Sequence, residues 1–366
     1  MECARGRHEK GKKSLWWMSK YGRVEVVEQI FRLGRAGTEL RPFQVSAGVE
    51  CRGASLGLQR ALVDFGAEAS HEKAVRRVKE HYGIEVSTNA VRRWTQHHGA
   101  ARQQRQEEER EPELPVGLGA ALVIGELDGS MVPIVELGQG QDRRKERGVK
   151  WEEARLALAH ALGSVTPCYG ATLGSVTEAG EILADCARRA GATQQTPLHC
   201  LGDAAAWIIQ QVREQFGAQA RYLLDFYHVS EYLAAAAQGI APATAKQWLA
   251  QQQERLRNNC VEEVLADLQP QQEPPELADQ DAPVRACLRY LINHRAFLDY
   301  ASARAAGLPI GSGEVESGHR SVIQQRLKIP GAWWLRENAA KMIALRINRA
   351  NNDWQSYWDD LRQAAA

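Results

Sequence analysis

The sequence has no C-x-x-C pair among its seven cysteines, whose spacings are irregular. This excludes the usual zinc-ribbon spacing and a regular disulfide framework, so we expect reduced thiols. No run approaches the roughly 18 apolar residues that a membrane-spanning helix needs. The N-terminus also lacks the apolar stretch of a secretory signal. These absences predict a cytoplasmic protein without a membrane partner.

The chain also lacks a large net charge, since its formal charge is +1 over 366 residues. Its hydrophobic and charged fractions, 44% and 25%, are those of a globular protein with one large domain and one or two small ones. The charge is uneven, because residues 1–100 hold more Lys and Arg than Asp and Glu. This asymmetry is typical of an N-terminal part that faces nucleic acid.

Changes in hydrophobic periodicity divide the chain into four segments. Residues 1–56 are basic and show no pattern that assigns a fold, whereas residues 57–100 show three helical stretches, the last of them ending at Gly99. Residues 101–118 are polar and lead into two prolines, which predicts a linker. Residues 119–360 alternate short apolar strands with helices, apart from a nearly all-helical insertion at about 240–308. This alternation predicts a mixed α/β sheet with flanking helices.

Three acidic residues in the predicted α/β domain form the main candidate site. Asp128 and Asp203 each follow an apolar strand, and Glu316 lies just past a Gly-rich turn, at the start of a helix. Acids at the ends of neighbouring strands converge at one edge of an open α/β sheet, and a helix can bring a third carboxylate over that edge. Such oxygen ligands suit two Mg²⁺ or Mn²⁺ ions, which can activate an attacking oxygen and stabilise a leaving one.

Each acid also has an ordinary structural interpretation. Asp128 precedes a glycine between two apolar runs, a sequence that favours a hairpin turn. Asp203 precedes a helix and fits a plain N-cap. Glu316 fits an exposed helical acid, and Glu314 competes with it for the third position.

A second cluster is the segment LLDFYHVSEYL, which contains Asp225 and His228 at a strand-to-helix turn. Two roles remain open for His228. It can orient a phosphate or a flanking base, or it can be a partly buried, hydrogen-bonded residue beside an Asp cap.

The three helices between residues 57 and 99 resemble a helix-turn-helix, because a short turn separates the second and third. The third helix presents one polar face suited to base edges in the major groove, formed by Asn89, Arg92, Arg93 and Gln96. Arg76 and Arg77 on the preceding helix are suited to phosphate contacts. The alternative is a solvated basic face on a helical bundle.

A basic and aromatic C-terminal stretch supplies further candidates for DNA contact: His319, Arg320, Arg326, Lys328, Trp333, Trp334 and Arg336. Cations beside a metal site can bind a DNA backbone, and a tryptophan can stack on an unpaired base. Tryptophans are also common core residues, and we expect at least one of the pair to be buried.

Several segments, in order, resemble the bacterial insertion-sequence transposases of the Kra type. They are WWMSKYGRVEVVEQIFRLG, LQRALVDFGAE, ELDGSMV, LGDAAAWI, DFYHVSEYL and GSGEVESGHRSVIQQRLK. The likeness runs along nearly the whole chain from about residue 16, and its motifs are specific only in combination.

This resemblance implies a DDE transposase with an RNase H-like catalytic core and a helix-turn-helix domain before it. The family's acids correspond to Asp128, Asp203 and Glu316, while Asp225 and His228 match a D-x-x-H motif near the active site. The implied partners are double-stranded DNA, at terminal repeats and target, and further copies of the chain, with no small-molecule substrate. The implied location is the bacterial nucleoid, and the short N-terminal lead leaves open a longer parent protein.

Two other functions remain possible from the sequence. One is a catalytically inactive, sequence-specific DNA-binding regulator. The other is a metal-dependent nuclease of the same fold that hydrolyses DNA without joining it.

Overall fold

Two compact units make up the computed structural model, which describes residues 7–33, 39–138 and 147–365. Unit one comprises Met1–Glu108, Pro133–Lys150 and Val322–Ala366, and unit two comprises Glu109–Val132 and Trp151–Ser321. These units differ from the linear domains predicted from the sequence. Residues 322–360, which were predicted to lie in the catalytic domain, belong to unit one.

A β-hairpin opens unit one, in the segment for which the sequence predicted no fold. The elements are β1 (Arg7–Ser19), β2 (Gly22–Leu33), the short β3 (Glu39–Leu40) and helix α1 (Pro42–Ser46). Leu15 and Trp17 alternate along β1 and are buried, because successive side chains of a strand point to opposite faces. The reverse turn between the antiparallel strands ends at Gly22, whose φ of 100° suits a residue without a Cβ.

Three helices follow, as the sequence predicted: α2 (Leu56–Glu68), α3 (His71–Tyr82) and α4 (Thr88–Glu108). Ser55 and Ser70 cap α2 and α3, since each side chain accepts a hydrogen bond from a backbone N–H of the first turn. Gly83 ends α3 in the left-handed conformation. The short turn between α3 and α4 therefore begins at Gly83, and at its other end the Ser87 hydroxyl accepts a hydrogen bond from the N–H of Ala90.

The prediction that α4 ends at Gly99 and that residues 101–108 belong to a linker is wrong. The helix continues to Glu108, and Gly99 lies inside it as a packing position. A Cβ at Gly99 would lie 2.8 Å from the carbonyl oxygen of Lys341, which belongs to a C-terminal helix of the same unit. The glycine therefore permits close helix packing and does not mark a helix end.

A mixed five-stranded sheet, centred in unit two, confirms the predicted mixed α/β class. Its strands are β4 (Val123–Glu136), β5 (Gly148–Ala161), β6 (Cys168–Thr172), β7 (Leu198–Gly202) and β8 (Ala220–Leu224). Their order is β6-β5-β4-β7-β8. The pairs β4–β7 and β7–β8 are parallel, and β5–β6 is antiparallel. Two strands predicted at 121–127 and 131–137 are one strand, so the hairpin interpretation of Asp128-Gly129 is wrong.

Helices pack beside the sheet and form the predicted helical insertion. Those of unit two are α5 (Val176–Arg189), α6 (Ala206–Phe216), α7 (Phe226–Ile240), α8 (Ala245–Arg257), α9 (Val261–Leu268), α10 (Pro283–Asn293), α11 (Tyr300–Ala305) and α12 (Gly313–Gly318). A π-helical stretch, His319–Gln324, follows α12. Unit one ends with α13 (Gln325–Leu327), α14 (Arg336–Ala350) and α15 (Trp354–Ala365). In the described part of the chain, no helix has both the length and the apolar character needed to cross a bilayer.

Two hydrophobic clusters hold unit two together. One contains residues of α5 and α6 such as Leu183 and Ile208. The other joins α7 to the helical insertion through residues such as Phe226, Leu233 and Tyr300. Both clusters include strand residues, and the sheet carries two candidate acids, Asp128 within β4 and Asp203 directly after β7.

Candidate active site

The pairing of β4 with β7 brings the first two acids together. Glu126 pairs with Leu201 in a parallel register, and the same offset, continued by two residues, puts Asp128 opposite Asp203. Asp203 immediately follows β7, and its Oδ1 accepts a hydrogen bond of 2.8 Å from the N–H of Ala205. Asp203 thus lies at the carboxyl end of its strand, where the sequence analysis expected it.

Glu316 joins these two acids from helix α12. The pKa of Asp128 is raised to about 6, mainly by burial. The negative charges of Asp203, Glu316 and Glu153 contribute to the rise, while the N–H of Gly129 opposes it. Asp203 and Glu316 therefore lie close enough to Asp128 for their charges to act on it.

The neighbours of Glu314 and Glu316 differ. Glu316 contributes to the raised pKa of Asp128, whereas the Oε2 of Glu314 lies 3.2 Å from the Nε2 of His160 on β5. Glu314 instead raises the pKa of the buried Glu126. This difference favours Glu316 as the third acid, a choice that the sequence left open.

Asp225 connects the start of α7 to the turn before α12. Its Oδ1 accepts hydrogen bonds from the N–H groups of Tyr227 (2.6 Å) and His228 (3.1 Å), which makes it the N-cap of α7. Its Oδ2 accepts from the N–H of Ser312 at 2.7 Å and from the Ser312 hydroxyl. A buried carboxylate with four donors is well satisfied, so Asp225 holds the Glu-bearing segment against α7.

The same turn packs closely at Gly311. A Cβ there would lie 2.6 Å from the ring of Tyr227, so only glycine fits without a shift of the ring. On the other side of the turn, His199 of β7 contacts the carbonyl oxygen of Pro309 through its Nε2 at 2.8 Å. Gly311 of the LPIGSGE sequence is therefore required by close packing, whereas a Cβ at Gly313 would meet no atom within 4 Å.

Glu126 is a second acid on β4 that sequence reasoning missed. It is 1% exposed, and its Oε2 accepts a hydrogen bond of 2.8 Å from the N–H of Val315. The pKa of Glu126 is raised to about 8, mainly by burial and in part by the charges of Glu314, Asp225 and Asp128, while the Val315 N–H opposes the rise. The signal in the sequence is a glutamate inside the apolar run ALVIGEL, where an unpaired charge would be costly.

Two of the C-terminal candidates lie next to the triad. His319 is buried, and its Nε2 lies 3.5 Å from the Oδ2 of Asp128. Arg320 is largely exposed and lies 3.3 Å from the Oε2 of Glu316 through its NH2. His319 is thus placed to orient Asp128, and Arg320 presents a positive charge to solvent beside Glu316.

Glu153 of β5 is a further acid close to Asp128. A Cβ at Gly129 would lie 2.1 Å from the Oε1 of Glu153, so the Glu153 side chain lies over the backbone of Gly129. Glu153 also pairs with Arg155 at 2.6 Å. The Arg155 charge partly compensates this acid.

His228 lies away from these contacts, in an aromatic environment. Its ring meets those of Tyr232 and Tyr290 edge-on, and its Nδ1 lies 3.5 Å from the Oε2 of Glu231. These partners belong to α7 and α10. They are the contacts of a partly buried, locally packed histidine beside an Asp cap.

Unit one contains the other candidates for DNA contact. Arg76 and Arg77 are exposed on α3, as are Asn89, Arg92 and Arg93 on α4, whereas Gln96 is half-buried. The NH2 of Arg92 donates to the Oδ1 of Asn89 at 2.7 Å, and the Arg76 NH2 pairs with the Oε1 of Glu72 at 2.6 Å. The α4 candidates therefore form a largely exposed polar face.

Val91 lies on the opposite side of α4 and is fully buried, and Trp94 and Ala90 are half-buried. The first turns of α4 therefore have one exposed polar face and one buried apolar face, as in an amphipathic helix.

The two C-terminal tryptophans have different environments. Trp334 is buried and donates a hydrogen bond from its indole N–H to the carbonyl oxygen of Leu327, whereas Trp333 is 48% exposed with the guanidinium of Arg147 4.1 Å from its ring centroid. Lys328 is half-buried, and Arg326 is buried and donates to the carbonyl oxygen of Gly66. The expectation that one tryptophan is buried is confirmed, and Arg326 has a structural contact.

The chemistry of the triad suits a hard divalent cation. Three carboxylates provide oxygen ligands of the kind that hard divalent cations prefer. Within residues 7–33, 39–138 and 147–365, however, no group of three or more His, Cys, Asp or Glu side chains is arranged as a metal cage. The Glu316 carboxylate pairs with Arg320 at 3.3 Å on the surface.

No protein-family model matches this chain, and a comparison with curated proteins found no match.

Proposed function

We propose that this chain is a DDE transposase that cleaves and joins the DNA ends of its own insertion sequence. The observation that carries the proposal is the convergence of Asp128, Asp203 and Glu316, which comes with a raised pKa at Asp128. The acids come from two neighbouring strands and one helix, far apart in the sequence. Such a convergence favours a catalytic site over three separate caps or surface acids.

The sheet supports an RNase H-like assignment for the catalytic core. Its order is β6-β5-β4-β7-β8, with parallel pairing from β4 to β7 and from β7 to β8. The first acid lies on the central strand, the second directly after its parallel neighbour, and the third on a helix that follows the helical insertion. This arrangement is the one expected of that core from the resemblance.

Asp128, Asp203 and Glu316 are the residues that would hold two Mg²⁺ or Mn²⁺ ions. When bound, such ions activate the attacking oxygen and stabilise the leaving oxygen of a phosphodiester. The protein's own residues shape the site around them. His319 orients Asp128, Asp225 holds the turn before Glu316, and Arg320 offers a charge to a DNA phosphate.

Sequence-specific DNA binding is assigned to α3 and α4, as a helix-turn-helix. The exposed face with Asn89, Arg92 and Arg93 has the side chains that read base edges, and Arg76 and Arg77 suit phosphate. An open pocket in the same unit is lined in part by Arg52, Arg93, Trp94 and His97. The combination of cations and an aromatic ring supports a nucleic-acid ligand. Because two DNA ends must meet, we expect the chain to act as a multimer.

The test is a cleavage and strand-transfer assay on DNA that spans the flanks of the gene, with Mg²⁺, Mn²⁺ or EDTA. We expect metal-dependent nicks at fixed positions, followed by joined product. Asp128→Asn, Asp203→Asn and Glu316→Gln should each abolish cleavage and leave DNA binding intact. Glu314→Gln is the matched control, since it removes a neighbouring carboxylate of the same helix, and it should retain cleavage.

Each contrary result has a definite meaning. Full cleavage by one of the three variants would remove that residue from the triad. Specific binding without cleavage in any metal would favour the regulator, and cleavage without any joined product would favour a nuclease. Loss of activity in Glu314→Gln alone would transfer the third position to Glu314.

A further inference from the structure

A buried carboxyl of β4 contacts the backbone of the Glu-bearing helix. The Oε2 of Glu126 accepts a hydrogen bond of 2.8 Å from the N–H of Val315, although the two residues lie 189 positions apart. Both residues are buried, with Glu126 1% exposed and Val315 fully covered. A long-range hydrogen bond in such a place fixes the distance between strand and helix.

The Val315 N–H needs a partner because of its place in α12. The first N–H groups of a helix have no acceptor within the helix, and the N-cap side chain usually supplies one. The N-cap of α12 is Ser312, and its hydroxyl donates to Asp225 and makes no cap hydrogen bond. Glu126 therefore provides, from the sheet, the acceptor that a capping residue would provide.

Two residues of β4 contact the chain on either side of Glu316, the third acid of the triad. Glu126 and Asp128 are two residues apart on one strand and so share a face of the sheet. Glu126 contacts Val315, and the Oδ2 of Asp128 lies 3.5 Å from the Nε2 of His319. Glu316 lies between these two helix positions, so the strand holds the helix on both sides of it.

We propose that Glu126 is a positioning residue, which sets the place of Glu316 relative to Asp128 by accepting the hydrogen bond of the Val315 N–H. This inference rests on the proposed function, because it concerns the site formed by the three acids. Glu126 is not a member of that site. Its effect is transmitted through the helix backbone, so any side chain with an acceptor at the same place should suffice.

Two variants of the full-length chain separate the acceptor from the charge. Glu126→Gln keeps the length and an acceptor oxygen, and Glu126→Met keeps the length and removes the acceptor. Glu136→Gln is the matched control, since Glu136 is an exposed carboxylate at the end of the same strand. Mn²⁺ binding, followed by the electron paramagnetic resonance signal of the free ion, is the first measurement. Hydrogen exchange of residues 309–320 is the second.

Removal of a group that orients metal ligands typically weakens metal binding about 10–100-fold. We expect Glu126→Met to show a loss of this size, with faster exchange in residues 309–320 and unchanged exchange elsewhere. Glu126→Gln should stay within about threefold of wild type, a range set by the retained acceptor, and Glu136→Gln should match wild type.

Four outcomes would overturn the inference. Wild-type Mn²⁺ affinity in Glu126→Met would show that the hydrogen bond does not position the site. An equal loss in Glu126→Gln would make the carboxylate itself a ligand. Faster hydrogen exchange throughout the Glu126→Met protein would show that Glu126 stabilises the whole fold and does not position Glu316 in particular. If wild type binds no Mn²⁺, the proposed function fails and this role fails with it, whereas the first three outcomes leave the proposed function intact.

Discussion

Asp225 accepts hydrogen bonds from both the backbone N–H and the hydroxyl of Ser312, a residue 87 positions further along the chain. The same carboxylate caps α7 through two other N–H groups. One buried side chain therefore joins the helix after β8 to the turn before Glu316. The D-x-x-H segment acts here through its aspartate, as a connection between elements.

The first prediction concerns this carboxylate. Asp225→Asn replaces one oxygen by an NH₂ group, which cannot accept, so at least one buried N–H loses its partner. Because hydrogen bonds to charged groups contribute about 1.5–3 kcal/mol, we expect the free energy of unfolding to fall by about that amount. Ser312→Ala keeps the backbone hydrogen bond to Asp225 and should lower the free energy of unfolding by about 1 kcal/mol. Urea unfolding measures both.

Ser164→Ala is the control for that series, since Ser164 is an exposed loop residue of the same unit and should change stability by less than about 0.5 kcal/mol. Equal stability of Asp225→Asn and wild type would show that the Asp225 contacts contribute nothing net.

Local pattern predicted those parts of the fold that local chemistry determines. The three helices between residues 57 and 99 form as expected, and the apolar runs before Asp128 and Asp203 are buried strands. Strand β6 was not predicted, because CYGAT is short and each of its residues is half-buried. It therefore lacks the alternation of buried and exposed positions that indicates a strand. Gly99 was misread because glycine marks a helix end and a close helix contact alike.

The site shows the same limit. The three acids could be predicted because each follows a recognisable strand or turn. Glu126, His199 and Ser312 could not, since their partners lie about 90 to 190 residues away, and no periodicity encodes such contacts. The choice between Glu314 and Glu316 likewise required knowing that Glu314 pairs with His160 and that Glu316 acts on the pKa of Asp128.

The second prediction compares two helical glycines. Alanine favours a helix over glycine by about 1 kcal/mol, and Gly239→Ala in α7 should gain about that amount because its Cβ would meet only Val284, at 3.8 Å. Gly99→Ala should instead destabilise by about 1–3 kcal/mol, since its Cβ would lie 2.8 Å from the backbone oxygen of Lys341. Thermal unfolding of the two variants checks the opposite signs, and a stabilised Gly99→Ala would contradict the packing role.

The third prediction is a pH dependence of stability at His98, which is buried between Tyr357 and Gln59. The pKa of His98 is lowered from about 6.5 in the unfolded chain to about 3, mainly by burial and in part by the neighbouring charge of His97. Below pH 6.5 the unfolded state therefore binds a proton that the folded state does not. This contribution makes stability decrease as the pH falls from about 6.5 to about 3, by at most about 1.4 kcal/mol per pH unit.

His98→Gln cannot take up that proton, so its stability relative to wild type should improve by about 2–3 kcal/mol between pH 7.5 and pH 4.5. Urea unfolding at a series of pH values gives the difference, with His81→Gln, at an exposed position, as the control. A difference between His98→Gln and wild type that does not change with pH would show that His98 keeps an ordinary pKa in the folded state.

The fourth prediction separates base contacts from phosphate contacts on the proposed DNA-binding helices. If Arg92 reads a base edge, Arg92→Ala should weaken binding to the terminal repeat by about 1–3 kcal/mol and relax sequence preference at one position. If Arg76 meets phosphate, Arg76→Ala should weaken binding to all sequences alike and lower the slope of log K against log salt by about 1. Lys246→Ala, at an exposed cation of α8 in unit two, should change neither quantity. Fluorescence anisotropy at several salt concentrations, with specific and scrambled DNA, measures both, and an Arg92→Ala protein with unchanged specificity would exclude Arg92 from base recognition.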